Sequence, residues 1–157
     1  MSRYIKISSV SVKNGVNYAG DLHKDLTLEV DRMINTWGRL LNGVLPDKPD
    51  IIVVPEACDR YHNYPLERRL EYYDVRGNRV RDFFMDKAMG NSCYIAYSAA
   101  RKLDDGTYRN TTQLIDRKGQ IIGMYNKNHP TIGETEDGKI LPGKNADVIS
   151  CHFGKAA

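Results

Sequence analysis

Glu56 follows Ile51-Ile52-Val53-Val54-Pro55, so a carboxyl stands directly after a run of four β-branched residues. Such a run is expected to form a central strand buried on both faces. A carboxylate at its end borders low-dielectric surroundings. Desolvation there disfavours the charged form, which suits a general base working near neutral pH. The competing reading is a solvated loop that opens with an acidic residue. Lys127, within Asn126-Lys127-Asn128-His129-Pro130, also falls just beyond an apolar run. An ammonium fixed at such a mouth stabilises an oxyanion, although a surface lysine in a polar loop fits the same spacing. His129 reads as a proton shuttle, a ligand or a hydrogen-bonded structural histidine. Glu134 and Glu136, in Gly133-Glu134-Thr135-Glu136-Asp137-Gly138, read as a plain acidic turn or as a second carboxylate aimed at the same pocket. No second His or Cys stands at metal-ligand spacing, so no metal centre is expected. GxGxxG, P-loop, GxSxG and HExxH patterns are missing from the sequence, and no cofactor is expected.

These residues need elements to position them. Residues 4–12 alternate loosely and predict a first strand, with a loop over 14–20. Leu26, Val30, Met33, Ile34, Trp37 and Leu41 recur at helical spacing within 22–42, with Gly43 as a stop. The central strand follows, and then a long excursion, 57–77, with a single helical turn near 66–72. A second helix starts at an Asn78 N-cap, turns Val80, Phe83, Phe84 and Ala88 inward and closes at Gly90. Strands are expected over 93–100, 108–115, 120–125 and 148–153, with turns at Asp104-Asp105-Gly106 and Arg117-Lys118-Gly119 and a turn-rich stretch over 133–145. The order predicts an α/β chain: two helices on one face of a roughly six-stranded mixed sheet. Two helices leave the other face uncovered, so a second sheet or a partner is expected there.

Composition narrows the classes. The 157 residues amount to one domain, with 41% hydrophobic and 27% charged residues, which argues against wholesale disorder. No apolar run reaches the ~20 residues of a membrane helix, and the N-terminus lacks a signal-peptide pattern, so a cytoplasmic chain is expected. A net charge of +3, with Lys and Arg alternating with Asp and Glu, is too mild to imply nucleic acid. The aromatic and basic stretch Tyr61, Tyr64, Arg68, Arg69, Tyr72, Tyr73 and Arg76 is interrupted by Glu67, Glu71 and Asp74, which oppose a phosphate backbone. Cys58, Cys93 and Cys151 form no CxxC and are expected to be reduced and buried.

Three segments, taken together and in order, resemble the nitrilase superfamily of carbon–nitrogen hydrolases. Asp50-Ile51-Ile52-Val53-Val54-Pro55-Glu56 is similar to the strand that ends in that family's catalytic glutamate. The stretch from Arg109-Asn110-Thr111 through Gly119-Gln120-Ile121-Ile122-Gly123-Met124-Tyr125-Asn126-Lys127-Asn128-His129 is similar to the strand pair leading to its catalytic lysine. Pro142-Gly143 followed by 148–155 is similar to the segment just before its nucleophile.

The resemblance implies half of an α-β-β-α sandwich and a Glu-Lys-Cys thioester mechanism on a small-molecule amide, N-carbamoyl or nitrile substrate. It implies catalytic roles for Glu56 and Lys127, with Glu134 favoured over Glu136 as the assisting carboxylate. Tyr61 and Tyr64, in the loop after Glu56, are expected to line the pocket together with His129. None of the three cysteines occupies the nucleophile's motif. Residues 1–157 are therefore expected to be the N-terminal portion of such a domain, ending before the cysteine and inactive as they stand. A homo-oligomer is expected, and a non-catalytic module that oligomerises through its uncovered sheet face is the alternative.

Overall fold

The computed structural model describes residues 4–12, 16, 25–65 and 68–156. Five strands, β1 (Ile7–Ser9), β2 (Ile51–Val53), β3 (Tyr94–Lys102), β4 (Tyr108–Ile115) and β5 (Ile121–Asn126), form one sheet in the order β1-β2-β3-β4-β5. The first three are parallel, with Ile7 opposite Ile51 and Ile52 opposite Ile95. β4 runs antiparallel to both β3 and β5, joined to them by tight turns at Gly106 (φ 80°) and Gly119 (φ 73°). The connections explain the mixture: hairpin turns join β3, β4 and β5, whereas helices separate β1, β2 and β3.

Helices α1 (Leu26–Asn42), α2 (Arg69–Arg76) and α3 (Arg79–Asn91) cover one face. Asp25 caps α1 by accepting from the Thr27 N–H at 2.8 Å. Val30, Met33, Trp37 and Leu41 of α1 and Val80, Phe84 and Ala88 of α3 are buried against Ile52, Ile95, Tyr97 and Ile115 of the sheet. This is the mixed α/β layer expected, with three helices in place of two. Residues 22–24 of the expected first helix, most of the 14–20 loop and residues 66 and 67 lie outside the described residues. The first strand is confined to Ile7–Ser9, and Val10 continues toward β2 by donating to the Val53 carbonyl. Gly90 does not close α3. The helix runs on to Asn91 and ends on Ser92, whose left-handed backbone (φ 51°) lets its N–H bond back to the Ala88 and Met89 carbonyls.

The 57–77 excursion is held down rather than loose. Trp37 Nε1 donates to the Cys58 carbonyl at 3.0 Å, and the Tyr61 hydroxyl donates to the Glu29 carbonyl at 2.6 Å. Asp59 is buried, and its Oδ2 accepts from Arg76 Nη1 at 2.9 Å and from the Tyr97 hydroxyl at 2.5 Å. Tyr72 donates to the Asp59 carbonyl at 3.0 Å. Helix α2 thus buries tyrosines and an arginine instead of an aliphatic stripe.

The expected last strand over 148–153 is instead two strands, β6 (Ile149–Cys151) and β7 (Gly154–Ala156), which pair with each other and not with the main sheet. This hairpin lies on the face opposite the helices, packing Ile149, Phe153 and Ala156 against Ile51, Tyr94 and Leu114. The rings of Tyr94 and Phe153 meet edge to face, 4.9 Å between centroids. Gly123 permits this approach, because a Cβ there would overlap the Ile149 side chain. The rest of that face stays open: Ile7 is 60% exposed and Tyr125 40%.

Candidate active site

Because β4 is antiparallel to both neighbours, β5 runs in the same direction as β2 and β3. Residues just past the ends of β2 and β5 therefore reach one end of the sheet, as do residues near the start of β4. Ligand-binding groups of open α/β sheets gather at such strand ends. Glu56, Lys127 and Asn110 arrive there by this route.

Glu56 is aimed by a sharp turn. Ala57 takes a left-handed backbone (φ 47°), its N–H points to Ser98 Oγ at 3.4 Å, and the Cys58 N–H is bound to the Ser98 carbonyl at 2.9 Å. Lys127 is fixed through its backbone, its N–H on the Asn110 carbonyl and its carbonyl on the Gly143 N–H, both at 2.8 Å. At Gly143 any Cβ would overlap the Asn126 carbonyl, so the 141–144 segment can lie this close only as glycine.

The side chains close a ring. Lys127 Nζ donates to Glu56 Oε1 at 2.7 Å and to Glu134 Oε2 at 2.9 Å. Asn110 Nδ2 donates to Glu56 Oε1 and to Glu134 Oε1, both at 2.7 Å. Glu134 reaches this position from a short helix, α4 (Ile132–Glu136), whose first turn is a capping box. The Glu134 carboxyl accepts from the Thr131 N–H at 2.7 Å, and the Thr131 hydroxyl accepts from the Glu134 N–H at 3.3 Å. One carboxylate therefore serves as a helix cap and as an ammonium partner.

Burial works against ionisation of Glu134, but the Thr131 N–H, the Lys127 ammonium and the Asn110 amide outweigh it and hold the carboxyl at about 2. Lys127 is held above the usual lysine range, chiefly by its bond to Glu56 and further by Glu134. The Glu134 shift is a stability statement. A carboxyl depressed from 4.5 to about 2 stabilises the folded chain above pH 4.5, and that contribution is lost as pH falls toward 2. Acid unfolding followed by circular dichroism should therefore steepen between those values. In Glu134→Gln the steepening should shrink, and an unchanged acid limb would contradict the arrangement.

The other sequence candidates are distributed differently. Glu56 is 57% exposed, so the dry surroundings expected at the strand's end are absent among the described residues. Lys127 is 28% and Glu134 16% exposed. Glu136 is exposed on α4 and has no bond to Lys127, because two positions along a helix turn it off the face that Glu134 presents. His129 is exposed beside the site. Tyr61 and Tyr64 do not line the Glu56 pocket. Both are buried in the core beside Tyr72, where an amphipathic ring packs with its apolar body. From the same loop Ala57, Cys58, Arg60 and His62 line it instead. Asn110 is not distinguished by type, since an asparagine inside a polar strand carries no signal.

Two cavities meet at Glu56. One of about 340 Å³ lies on the open sheet face between Ala96, Asn110, Thr112, Tyr125 and Lys127. The other, about 240 Å³, lies between Trp37 and the 55–62 loop. The thiols are poorly prepared to act as nucleophiles. Burial pushes Cys58 well above the usual thiol range and raises Cys93 and Cys151 as well. Among the described residues no group of three His, Cys, Asp or Glu could hold a metal, and no helix is long and apolar enough to cross a membrane.

The carbon-nitrogen hydrolase family model matches residues 18–157. No curated protein matches the chain at significant sequence similarity. Among solved structures, a carbon-nitrogen hydrolase from Helicobacter pylori is similar with a TM-score of 0.66 and 20% identity, over 91% of this chain and 47% of that one. An amidase from Nesterenkonia sp. gives 0.66 at 15% identity, over 96% of this chain and 52% of that one. An N-terminal amidase with an Asn-Glu-Ala peptide gives 0.69 at 17% identity, over 88% and 31%. The chain thus spans about half, or less, of the length of these relatives, whose likeness is one of fold. The family match over most of the sequence, on a sheet of the same fold, shows that this chain belongs to the carbon-nitrogen hydrolase family.

Proposed function

We propose that residues 1–157 supply the acid–base and oxyanion groups of a carbon–nitrogen hydrolase and form the N-terminal portion of its catalytic domain. The observation that carries this reading is the Lys127 ammonium bonded to both Glu56 and Glu134 at one end of the sheet. In the mechanism, the nucleophilic thiol comes from a segment outside these residues and approaches over the open face. Glu56 accepts the thiol proton, and the thiolate attacks the carbon of an amide, N-carbamoyl or nitrile group. Lys127 Nζ stabilises the developing negative charge. Glu56 returns the proton to the leaving amine, or for a nitrile to the nitrogen that departs as ammonia after water adds, then takes one from the water that cleaves the thioester and passes it to the departing thiolate. Glu134 and Asn110 keep the ammonium and the Glu56 carboxylate aligned throughout.

The test is ammonia release by a protein that carries these residues together with the nucleophilic segment, from a panel of small linear amides, N-carbamoyl compounds and nitriles, with peptide mass mapping of the protein during turnover. Release from one class, with an acyl adduct on a cysteine other than Cys58, Cys93 or Cys151, is the expected result. Silence across the panel, or release that survives thiol alkylation, rejects the reading. The exposed Ile7 and Tyr125 on the open sheet face favour a second reading, a non-catalytic module that oligomerises through that face. A silent panel together with a stable oligomer selects it.

A further inference from the structure

The Glu56 side chain is more than half exposed, so packing does not hold it. Its place depends on the bonds its carboxyl makes and on the backbone that carries it. That backbone is constrained on both sides. Pro55 has its φ locked by its own ring. Ala57 is left-handed at φ 47°, a conformation that glycine takes freely and alanine rarely. A residue other than glycine stays there only where its surroundings force it, and such residues gather at active sites. What forces it here is one residue of β3. Ser98 Oγ accepts from the Ala57 N–H at 3.4 Å, and the Ser98 carbonyl accepts from the Cys58 N–H at 2.9 Å. The first bond is long for an N–H donor, but the second docks the same turn on the same residue and keeps the hydroxyl opposite the Ala57 N–H. Among the described residues that N–H has this one partner. Ser98 is buried, with Ala96 and Ala100 on the same face of β3. An alanine would fill the space about as well, so the hydroxyl is what distinguishes the position.

We propose that Ser98 is a positioning residue for Glu56, its hydroxyl pinning the left-handed turn at Ala57 so that the carboxyl stays beside Lys127 and Asn110 through its proton transfers. This rests on the hydrolase reading for the transfers and on geometry alone for the pinning. The need for a pin comes from the change of charge. As a carboxylate, Glu56 is drawn to Lys127 Nζ and Asn110 Nδ2, each at 2.7 Å. Once it holds the thiol proton, that attraction falls away, since charge-assisted bonds are about twice as strong as neutral ones. A neutral, exposed carboxyl is free to swing, and the constraint that survives is the turn behind it.

The test is Ser98→Ala in a protein that carries these residues together with the nucleophilic segment, with Thr112→Val as the control. Thr112 lies opposite Ser98 on β4 and lines the same cavity, but it makes no bond to the turn. In Ser98→Ala, kcat should fall about tenfold or more, while KM and the melting temperature stay close to wild type. The Lys127 ammonium, followed by NMR of isotope-labelled lysine, should titrate nearer the ordinary lysine range, because the bond to Glu56 is the chief cause that holds it above. Thr112→Val should leave that titration in place. A wild-type kcat, a loss carried by KM, which would make Ser98 a substrate contact, or a Lys127 titration that stays put or moves equally in Thr112→Val would each overturn the proposal. The two readings fail separately. A Lys127 shift in a protein that hydrolyses nothing sinks the hydrolase and leaves the pinned turn standing. Hydrolysis that Ser98→Ala leaves intact does the reverse.

Discussion

Replacing Lys127 with alanine should lower kcat of the active protein by about 10²–10³-fold while shifting its melting temperature little. The two effects separate because they come from different physics. The ammonium sits between carboxylates that are 57% and 16% exposed, and ion pairs this open to water contribute at most about 1 kcal/mol to folding. In a closed reaction complex the same charge faces an oxyanion with water displaced, where electrostatic interactions strengthen. Without the ammonium, Glu56 and Glu134 share only the Asn110 amide, and two carboxylates on one donor repel each other. Lys127→Arg should recover little, since a planar fork cannot reproduce a point charge placed between two oxygens. Steady-state kinetics beside a thermal melt decides the matter. A melting-temperature loss as severe as the activity loss would make Lys127 a structural residue.

The largest stability effect should come from Asp59, which touches none of the reacting groups. Asp59→Ala leaves Arg76 charged and buried against Tyr73, with only the Ala100 and Gly77 carbonyls to bond. Removing one partner of a buried pair costs about 3–5 kcal/mol, which for a chain of this size is a melting-temperature drop on the order of 10 °C. The Tyr97 hydroxyl loses its acceptor in the same change. Replacing both partners, Asp59→Leu with Arg76→Met, should recover much of the loss, because no buried charge is then left unpaired. Denaturant titration of both variants checks this, and a single variant that unfolds at the wild-type midpoint would mean the pair adds nothing. Since Asp59 sits three residues beyond Glu56, this network is what holds the loop after the carboxylate on the helices.

What the sequence made legible follows from how strongly each feature is written in residue types. The run ending at Glu56 could hardly be anything but a buried strand, and the polar stretch after Tyr125 had to leave the sheet near Lys127. Their meeting is implied by the family resemblance but is not legible in the residue types alone, because it depends on β4 reversing the chain so that β5 rejoins the direction of β2. Helix α2 reads in the sequence as a single turn because its buried face is Tyr72, Tyr73 and Arg76, whose polar ends find partners only in the folded chain. Tyr61 reads as a pocket residue for the same reason: only in the fold does its hydroxyl reach the Glu29 carbonyl, which takes the ring inward. The β6–β7 hairpin reads in the sequence as one strand because its apolar residues continue across the His152-Phe153 turn. Between Glu134 and Glu136, the capping box at Thr131 makes the difference, and it was present in the sequence as a threonine three residues before a glutamate.

The shared ammonium also fixes an account of charge. Two carboxylates and one ammonium sum to −1 in formal units. Moving a proton from an incoming thiol to Glu56 would leave the total with the thiol included at −1, since one negative charge vanishes as another appears. A pocket arranged this way activates its nucleophile without separating charge across it, so its rate with an uncharged substrate should be nearly indifferent to salt.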